Sequence, residues 1–218
     1  MQTYKRLYNP KWFREERKEV MFDAIDKISF GTLVSVTAGG LSASHVPMLV
    51  DRDGGARGVI LGHIARGNLQ WRDTLPGSEA LAIFVGPHAY ISPKWYESSI
   101  RKGEVVPTWN YVVVHARGPV RFFTDERRLL GLVTRLTEKF EAGSGSPWRV
   151  ADAPADYVAR ELKAVVGFEI GVTSLEGKWK LGQNRPPGDR AGMVAGLRGR
   201  GEGDDLDLAD EVSRSRER

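Results

Sequence analysis

Apolar positions along the chain recur in two rhythms. Over Phe13 to Ile28, Val20, Met21, Ile25 and Ile28 fall near helical spacing among many charges, which predicts an amphipathic helix. Ser29 to Thr37 is β-rich, Ala38-Gly39-Gly40 supplies a turn, and Leu41 to Val50 resumes an extended pattern. Asp51 to Gly55 turns again, and Arg57 to Leu61 is predicted as a third strand. Links this short force an antiparallel meander, because parallel neighbours need long crossovers.

Asn68 to Thr74 is predicted as a short helix and Ala80 to Val85 as a fourth strand. His88 to Ser92 begins another extended piece, with Pro87 and Pro93 expected to turn the strand out of its sheet. Lys94 to Val106 lacks apolar periodicity and reads as a loop of functional length. Thr108 to Phe123 is a long strand dense in Val, Tyr and Trp. Thr124-Asp125 caps a helix that runs to about Glu141, with Leu129, Leu130, Leu132, Val133 and Leu136 on its apolar face. Gly143 to Ser146 is a joint, Asp156 to Lys163 a helix and Ala164 to Thr173 a return to the sheet. Trp179 to Arg185 is a polar-tipped segment, and Asp189 to Leu197 a last short helix. Many strands with helices around them imply a mainly β fold with peripheral helices (α+β), a decorated β-barrel. Residues 1–197 are expected to form one domain and residues 198–218, poor in apolar side chains, a flexible polar tail.

Composition narrows the classes. A hydrophobic fraction of 41% supports a real core. There is no apolar run long enough to span a membrane and no export leader, so the cytoplasm is the expected compartment. Without cysteine there are no disulfides, zinc–thiolate sites or thiol catalysis. The net charge is +4; from Arg198 onward five Arg face seven Asp plus Glu, leaving that end at −2 and the rest at +6. The positive charge is dispersed, and a solvated surface accounts for it as well as nucleic acid or an anionic cofactor does.

The densest chemistry lies in Leu61 to Trp71, where His63, Arg66 and Asn68 crowd a turn beside Gly62 and Gly67. Exposed backbone N–H groups and a guanidinium suit an anion, a phosphate above all. Tyr90, Trp95 and Tyr96 are amphipathic rings fit for a subunit interface, a barrel rim or a flat ligand. In the strand that opens Pro107-Thr108-Trp109-Asn110-Tyr111, Thr108 and Asn110 share one face. Buried there, they need partners, either a heteroaromatic ligand edge or a neighbouring backbone. Ser44 and His45 sit on an earlier strand, where a lone histidine is more often structural. Lys178 to Arg185 places Lys180, Gln183, Asn184 and Arg185 close together, as a surface turn or as a donor set for a ligand. No nucleophile–histidine–acid arrangement, zinc spacing or phosphate-cradling glycine loop occurs.

Gly-His-x-Ala-x-x-Asn-x-Gln-Trp, Gly-Pro-His-Ala-Tyr-Ile-Ser-Pro-x-Trp-Tyr, Val-Pro-Thr-Trp-Asn-Tyr, Val-Val-Gly-Phe-Glu-Ile and Lys-x-x-Gln-Asn-Arg together resemble the PaiB family of FMN-binding negative transcriptional regulators. The resemblance runs from about Tyr8 to Leu197. It implies a split β-barrel of the FMN-binding flavin-reductase / pyridoxamine-phosphate-oxidase type, a homodimer with cofactor sites at the subunit interface. Carried over by position, His63, Arg66 and Asn68 hold the FMN phosphate, and Ser44 and His45 lie near the ribityl chain or ring. Thr108, Asn110, Lys180, Gln183 and Asn184 approach from the same or the other subunit. Leu69 stands where proline is usual and Gly182 where serine is usual. The piperazate synthases, which resemble this family, use haem with the histidine of the Gly-His turn on iron. His63 occupies that position, so haem is the alternative cofactor.

Two functions follow from the resemblance. One is an FMN-binding regulator; with no helix-turn-helix or basic recognition helix, its regulation is expected to be indirect or flavin-linked rather than by direct DNA binding. The other is an enzyme acting on a small-molecule substrate, either a flavin-dependent oxidoreductase or a haem-dependent N–N bond-forming relative of the piperazate synthases. No side chain identifies itself from sequence as an acid or base for a known substrate.

Overall fold

The computed structural model describes residues 7–215. Its elements run β1 (Arg14–Glu15), α1 (Lys18–Ile28), β2 (Phe30–Thr37), β3 (Gly40–Asp51), β4 (Val59–Ala65), α2 (Gln70–Asp73), β5 (Glu79–Ile91), α3 (Glu97–Lys102), β6 (Thr108–Phe123), α4 (Glu126–Glu141), α5 (Ala155–Lys163), β7 (Val165–Gly171), β8 (Ser174–Lys180), α6 (Pro187–Arg200) and α7 (Asp205–Arg214). The strand order is β1-β8-β6-β5-β2-β3-β4-β7, and β6 also pairs with β7. That extra pairing lets the six strands from β6 round to β7 close on themselves, the split-barrel arrangement. A closed sheet removes its exposed edges.

The chain packs as two compact units, and the long strands β5 and β6 contribute to both. The larger unit comprises Phe22–Phe84 and His115–Leu175. Alternation along its strands sends Leu33, Ile60, Ile64, Ala82, Phe84, Val166, Phe168 and Ile170 into the core. On the opposite face, α4 lays Leu132 and Leu136 over Leu49, with Leu61 and Phe123 packed alongside. Asp125 caps α4 by accepting from the backbone N–H of Arg128 at 2.8 Å. Among the described residues, the smaller unit comprises 7–21, 85–114 and 176–215. It pairs β1 with β8 and buries Tyr96, Val112, Trp179, Leu181, Met193 and Leu197.

Four local expectations are corrected. The helix expected from Phe13 starts at Lys18, because Arg14 and Glu15 pair with Lys178 and Gly177 of β8. The strand expected to end at Leu61 continues to Ala65, so Gly62 and His63 belong to β4 and not to a turn. Gly62 faces Phe168, and a Cβ there would meet the ring at 2.5 Å; the glycine keeps the strand straight past an aromatic. Pro87 does not interrupt β5: its fixed φ suits extended backbone, and the pairing with β2 engages Leu81 to Ile83 only. The loop expected over Lys94 to Val106 contains a 3₁₀ turn at Pro93–Trp95 and then α3. Ser92 caps the first, and Asp189 accepts from the Ser98 N–H and hydroxyl at the start of the second.

The expected flexible tail is also corrected. Residues 198–200 end α6, and most of the described remainder is α7, which buries Asp205, Leu208, Ala209 and Val212; residues 216–218 of the expected tail lie outside the described residues. Arg200 holds Asp205 through two guanidinium nitrogens, and Arg190 donates to the Val212 carbonyl and the Ser215 hydroxyl.

Candidate functional site

In the larger unit, β4 runs into a tight turn and then α2, which joins the expected residues Ser44 and Asn68. Asn68 Nδ2 donates to Ser44 Oγ at 2.7 Å, and Asn68 Oδ1 accepts the Gln70 N–H at 3.0 Å. Ser44 Oγ in turn donates to Gln70 Oε1 at 2.6 Å. Gln70 is the hub and sequence reasoning missed it. It is 3% exposed, and its Nε2 reaches Leu33 O, Ser35 Oγ and Ser42 O. The available signal was its place in the motif: a polar residue one turn beyond the glycine, where α2 must bury something against the barrel. Trp71 Nε1 donates to Arg66 O at 3.0 Å and closes the turn.

Arg66 ties this turn to the α5–β7 junction. Its N–H donates to Ala164 O, its Nε to Lys163 O and its Nη2 to Val165 O. Nη1 makes no hydrogen bond to a described residue. The polar atoms of Ser44 and Asn68 are already used inside the network.

His45 and His63 stand apart from that network. His45 is exposed on β3 opposite Thr32 of β2, with Nδ1 3.0 Å from Thr32 Oγ1. His63 lies on β4 opposite Gly167 of β7. Leu49 opposes Leu61, so alternation puts His45, Pro47, Leu61 and His63 on one side of β3 and β4. Burial pushes the His63 pKa below the usual imidazole value, so the ring is neutral near pH 7. Its Nδ1 is buried with no hydrogen-bond partner. A buried polar atom left unsatisfied is costly.

The other expected residues lie in the smaller unit and form a group of their own. Lys180 Nζ donates to Thr108 Oγ1 at 2.6 Å and to Trp109 O at 2.7 Å. Burial, then the charges of Lys178 and Arg185, lower its pKa. Lys178 is itself 6% exposed, donates to Tyr8 O, and lies over the Tyr8 and Tyr111 rings. Gln183 closes the turn after β8, accepting from the Leu181 N–H and donating to Trp179 O. Asn184 is exposed on that turn. Asn110 is buried, and its Nδ2 donates to the Met193 sulfur at 3.6 Å.

Known proteins support this reading of the fold. A family described as "Putative FMN-binding domain" matches residues 7–174. Among curated proteins, the chain is 34% identical over 191 residues to the Protease synthase and sporulation protein PAI 2 of Bacillus subtilis, across 88% of this chain and 89% of that one. It is 33% identical to Uncharacterized protein AN0679 of Emericella nidulans, across 72% and 75% of the two chains. Among solved structures, it is similar to the FAD and heme binding protein of Mycobacterium smegmatis, with a TM-score of 0.57 at 19% identity over 78% of this chain and 74% of that one. The flavocytochrome Anf3 of Azotobacter vinelandii gives a TM-score of 0.58 at 12% identity, over 78% and 71%. At such identities the structural likeness speaks for the fold alone.

Proposed function

The chain belongs to the FMN-binding domain family that includes the PaiB proteins, and we propose that it works as an FMN-binding homodimer whose regulatory role is exerted through the flavin. The observation that carries this reading is the outward side of β3 and β4. It holds a neutral imidazole with an unsatisfied Nδ1, a second histidine, and, from the adjoining turn, the free Nη1 of Arg66. These groups suit a phosphorylated heteroaromatic cofactor: Arg66 meets the phosphate, and the histidines offer hydrogen bonds and flat surfaces. Ser44, Asn68 and Gln70 serve by holding the turn in place. Lys180, steadied by Thr108 and Trp109, is the cation among the residues assigned from the smaller unit. Bound FMN supplies one- and two-electron redox chemistry; the chain binds, orients and shields it.

Dimerisation is supported by the apolar side of β2 and β3. Phe30, Val36 and Leu41 are 61%, 39% and 80% exposed, and Val36 faces Leu41 across the ladder. Thr32 and His45 lie on the same side, so a second copy seated there lies against the proposed cofactor contacts. Among the described residues no helix reads as a DNA-recognition helix, and we assign regulation to a partner protein or the flavin redox state.

One observation favours haem as the second reading. A neutral imidazole is the protonation state that ligates iron, and burial holds His63 neutral. The same residue weighs against it. A ligating histidine almost always donates its other ring nitrogen to an acceptor, and His63 Nδ1 has none. The absorption spectrum of the purified full-length protein, with an FMN titration, tests both. A flavin spectrum, or saturable FMN binding weakened by Arg66→Ala, is expected. A Soret band lost in His63→Ala overturns the flavin assignment in favour of haem, and failure to bind either cofactor overturns both. A specific gel shift at physiological salt would overturn indirect regulation.

A further inference from the structure

The segment Gly86 to Tyr96, singled out by its aromatic residues, builds a recess that the cofactor reading leaves unused. His88 and Tyr90, two apart on β5, point to the same side as Trp109 of β6. All three rings are roughly half exposed, at 45%, 41% and 49%. The ring centroids of His88 and Tyr90 lie 5.9 Å and 6.4 Å from that of Trp109, inclined at 33° and 63°. Angled faces at these separations form walls rather than a stack. Trp109 Nε1 donates to His88 Nδ1 at 3.4 Å, and His88 Nε2 lies 3.7 Å from Asp204.

The other wall is the α6–α7 connection, and together they border an open recess of about 470 Å³. This wall is rigidly built. Arg200 engages both oxygens of buried Asp205, donates to Tyr90 O and lies 5.0 Å above the Trp95 ring. The Arg200 guanidinium in the recess is therefore already paired with its own carboxylate. Two further carboxylates, Glu202 and Asp204, line the recess beyond that pair. Asp204 is fixed by the His88 backbone N–H at 3.3 Å, and Glu202 is exposed.

We propose that this recess binds an organic ammonium ion, a primary or quaternary amine. Electron-rich ring faces attract a cation electrostatically, and this interaction is strongest for tryptophan. A surplus of carboxylates supplies the long-range term, while an anionic or neutral aromatic ligand would gain nothing from Glu202 and Asp204. All the groups named belong to the smaller compact unit. The amine site stands independently of the flavin assignment.

Calorimetric titration of the full-length protein with choline, and with its uncharged isostere in which carbon replaces the ammonium nitrogen, tests the site. Saturable choline binding is expected, with the isostere at least about tenfold weaker. Trp109→Ala should weaken choline at least about tenfold, and Trp109→Phe, which keeps a ring to pack, by an intermediate factor. Glu202→Gln should weaken choline about threefold or more at low salt and leave an FMN titration unchanged. Absence of saturable choline binding by the wild-type protein, equal affinity for the isostere, or an unaffected Trp109→Ala variant each overturns the proposal. A Trp109→Ala variant that loses its partner subunit, in a protein that never bound choline, assigns the recess to a second copy and overturns it as well.

Discussion

At the scale of single residues, His63 decides most. Its imidazole is driven below its ordinary value of 6.5 by burial, so the unfolded chain takes up a proton at a pH where the folded chain does not. Above that value His63 is neutral in both states and contributes no pH dependence. As pH falls through it toward the depressed folded value, the unfolded state binds more protons and stability is lost. Denaturant unfolding of cofactor-free protein from about pH 8 to about pH 5 should therefore show a steeper loss for wild type than for His63→Gln. The remaining histidines are common to both proteins, so parallel curves would remove the buried-imidazole assignment. The identity of this residue was legible from the Gly-His pair; its place inside a strand was not. That place depends on Phe168, more than a hundred positions away, filling the space above Gly62.

Gly182 carries a second residue-scale prediction. It sits at φ +76°, and a Cβ there would come within 2.4 Å of Met193 Cε. A side chain in left-handed backbone costs about 1 kcal/mol, and the methionine end must move as well. Gly182→Ser should lower unfolding free energy by about 1–2 kcal/mol. Met193→Ala in the same background should make the serine substitution cheaper, by relieving the contact but not the backbone term. Serine that costs nothing would mean that the turn takes a different backbone conformation in solution.

At the scale of elements, local rhythm served where an element is bounded by its own residues. Thr108 to Phe123 was read at its true limits, and α4 began at its Asp125 cap. It failed where long-range partners set the limits. The start of α3 is held by Asp189, and the start of α1 is displaced by pairing of Arg14 and Glu15 with β8. α2 is the sharpest case, four residues that propensity alone could not sustain. Its stability rests on Gln70, whose amide bridges β2 and β3. Gln70→Ala leaves the Leu33 and Ser42 carbonyls and the hydroxyls of Ser35 and Ser44 short of a partner. Leaving buried polar groups unsatisfied should cost about 2–4 kcal/mol in chemical denaturation. FMN affinity should fall with it, since the turn that carries Arg66 loses its anchor; an unchanged affinity would separate α2 from the cofactor site.

At the scale of the whole molecule, the C-terminal helix shows why sparse apolar composition misleads. The buried positions of α7 are Asp205, Leu208, Ala209 and Val212, spaced i, i+3, i+4 and i+7. That is the helical period with an acid in its first place, and Asp205 is buried only because Arg200 pairs with it. Pattern reading counts that acid as exposed and loses the period. The apolar side of β2 and β3 poses the inverse problem, since its residues fit a strand yet remain open in the single chain. Phe30 and Leu41 are too exposed to contribute much to the folding of one subunit, so charging them should spare it. The double variant Phe30→Lys, Leu41→Lys should keep its thermal midpoint as a monomer and halve the mass measured by light scattering. A stable dimer needs roughly 1,000 Å² of well-fitted surface, and two lysines opposed to their own copies cannot supply it. Because His45 and Thr32 share this side, the same variant should bind FMN more weakly than wild type. A variant that stays dimeric would place the subunit contact elsewhere, and a monomeric one with full FMN affinity would show that a single subunit suffices for the cofactor.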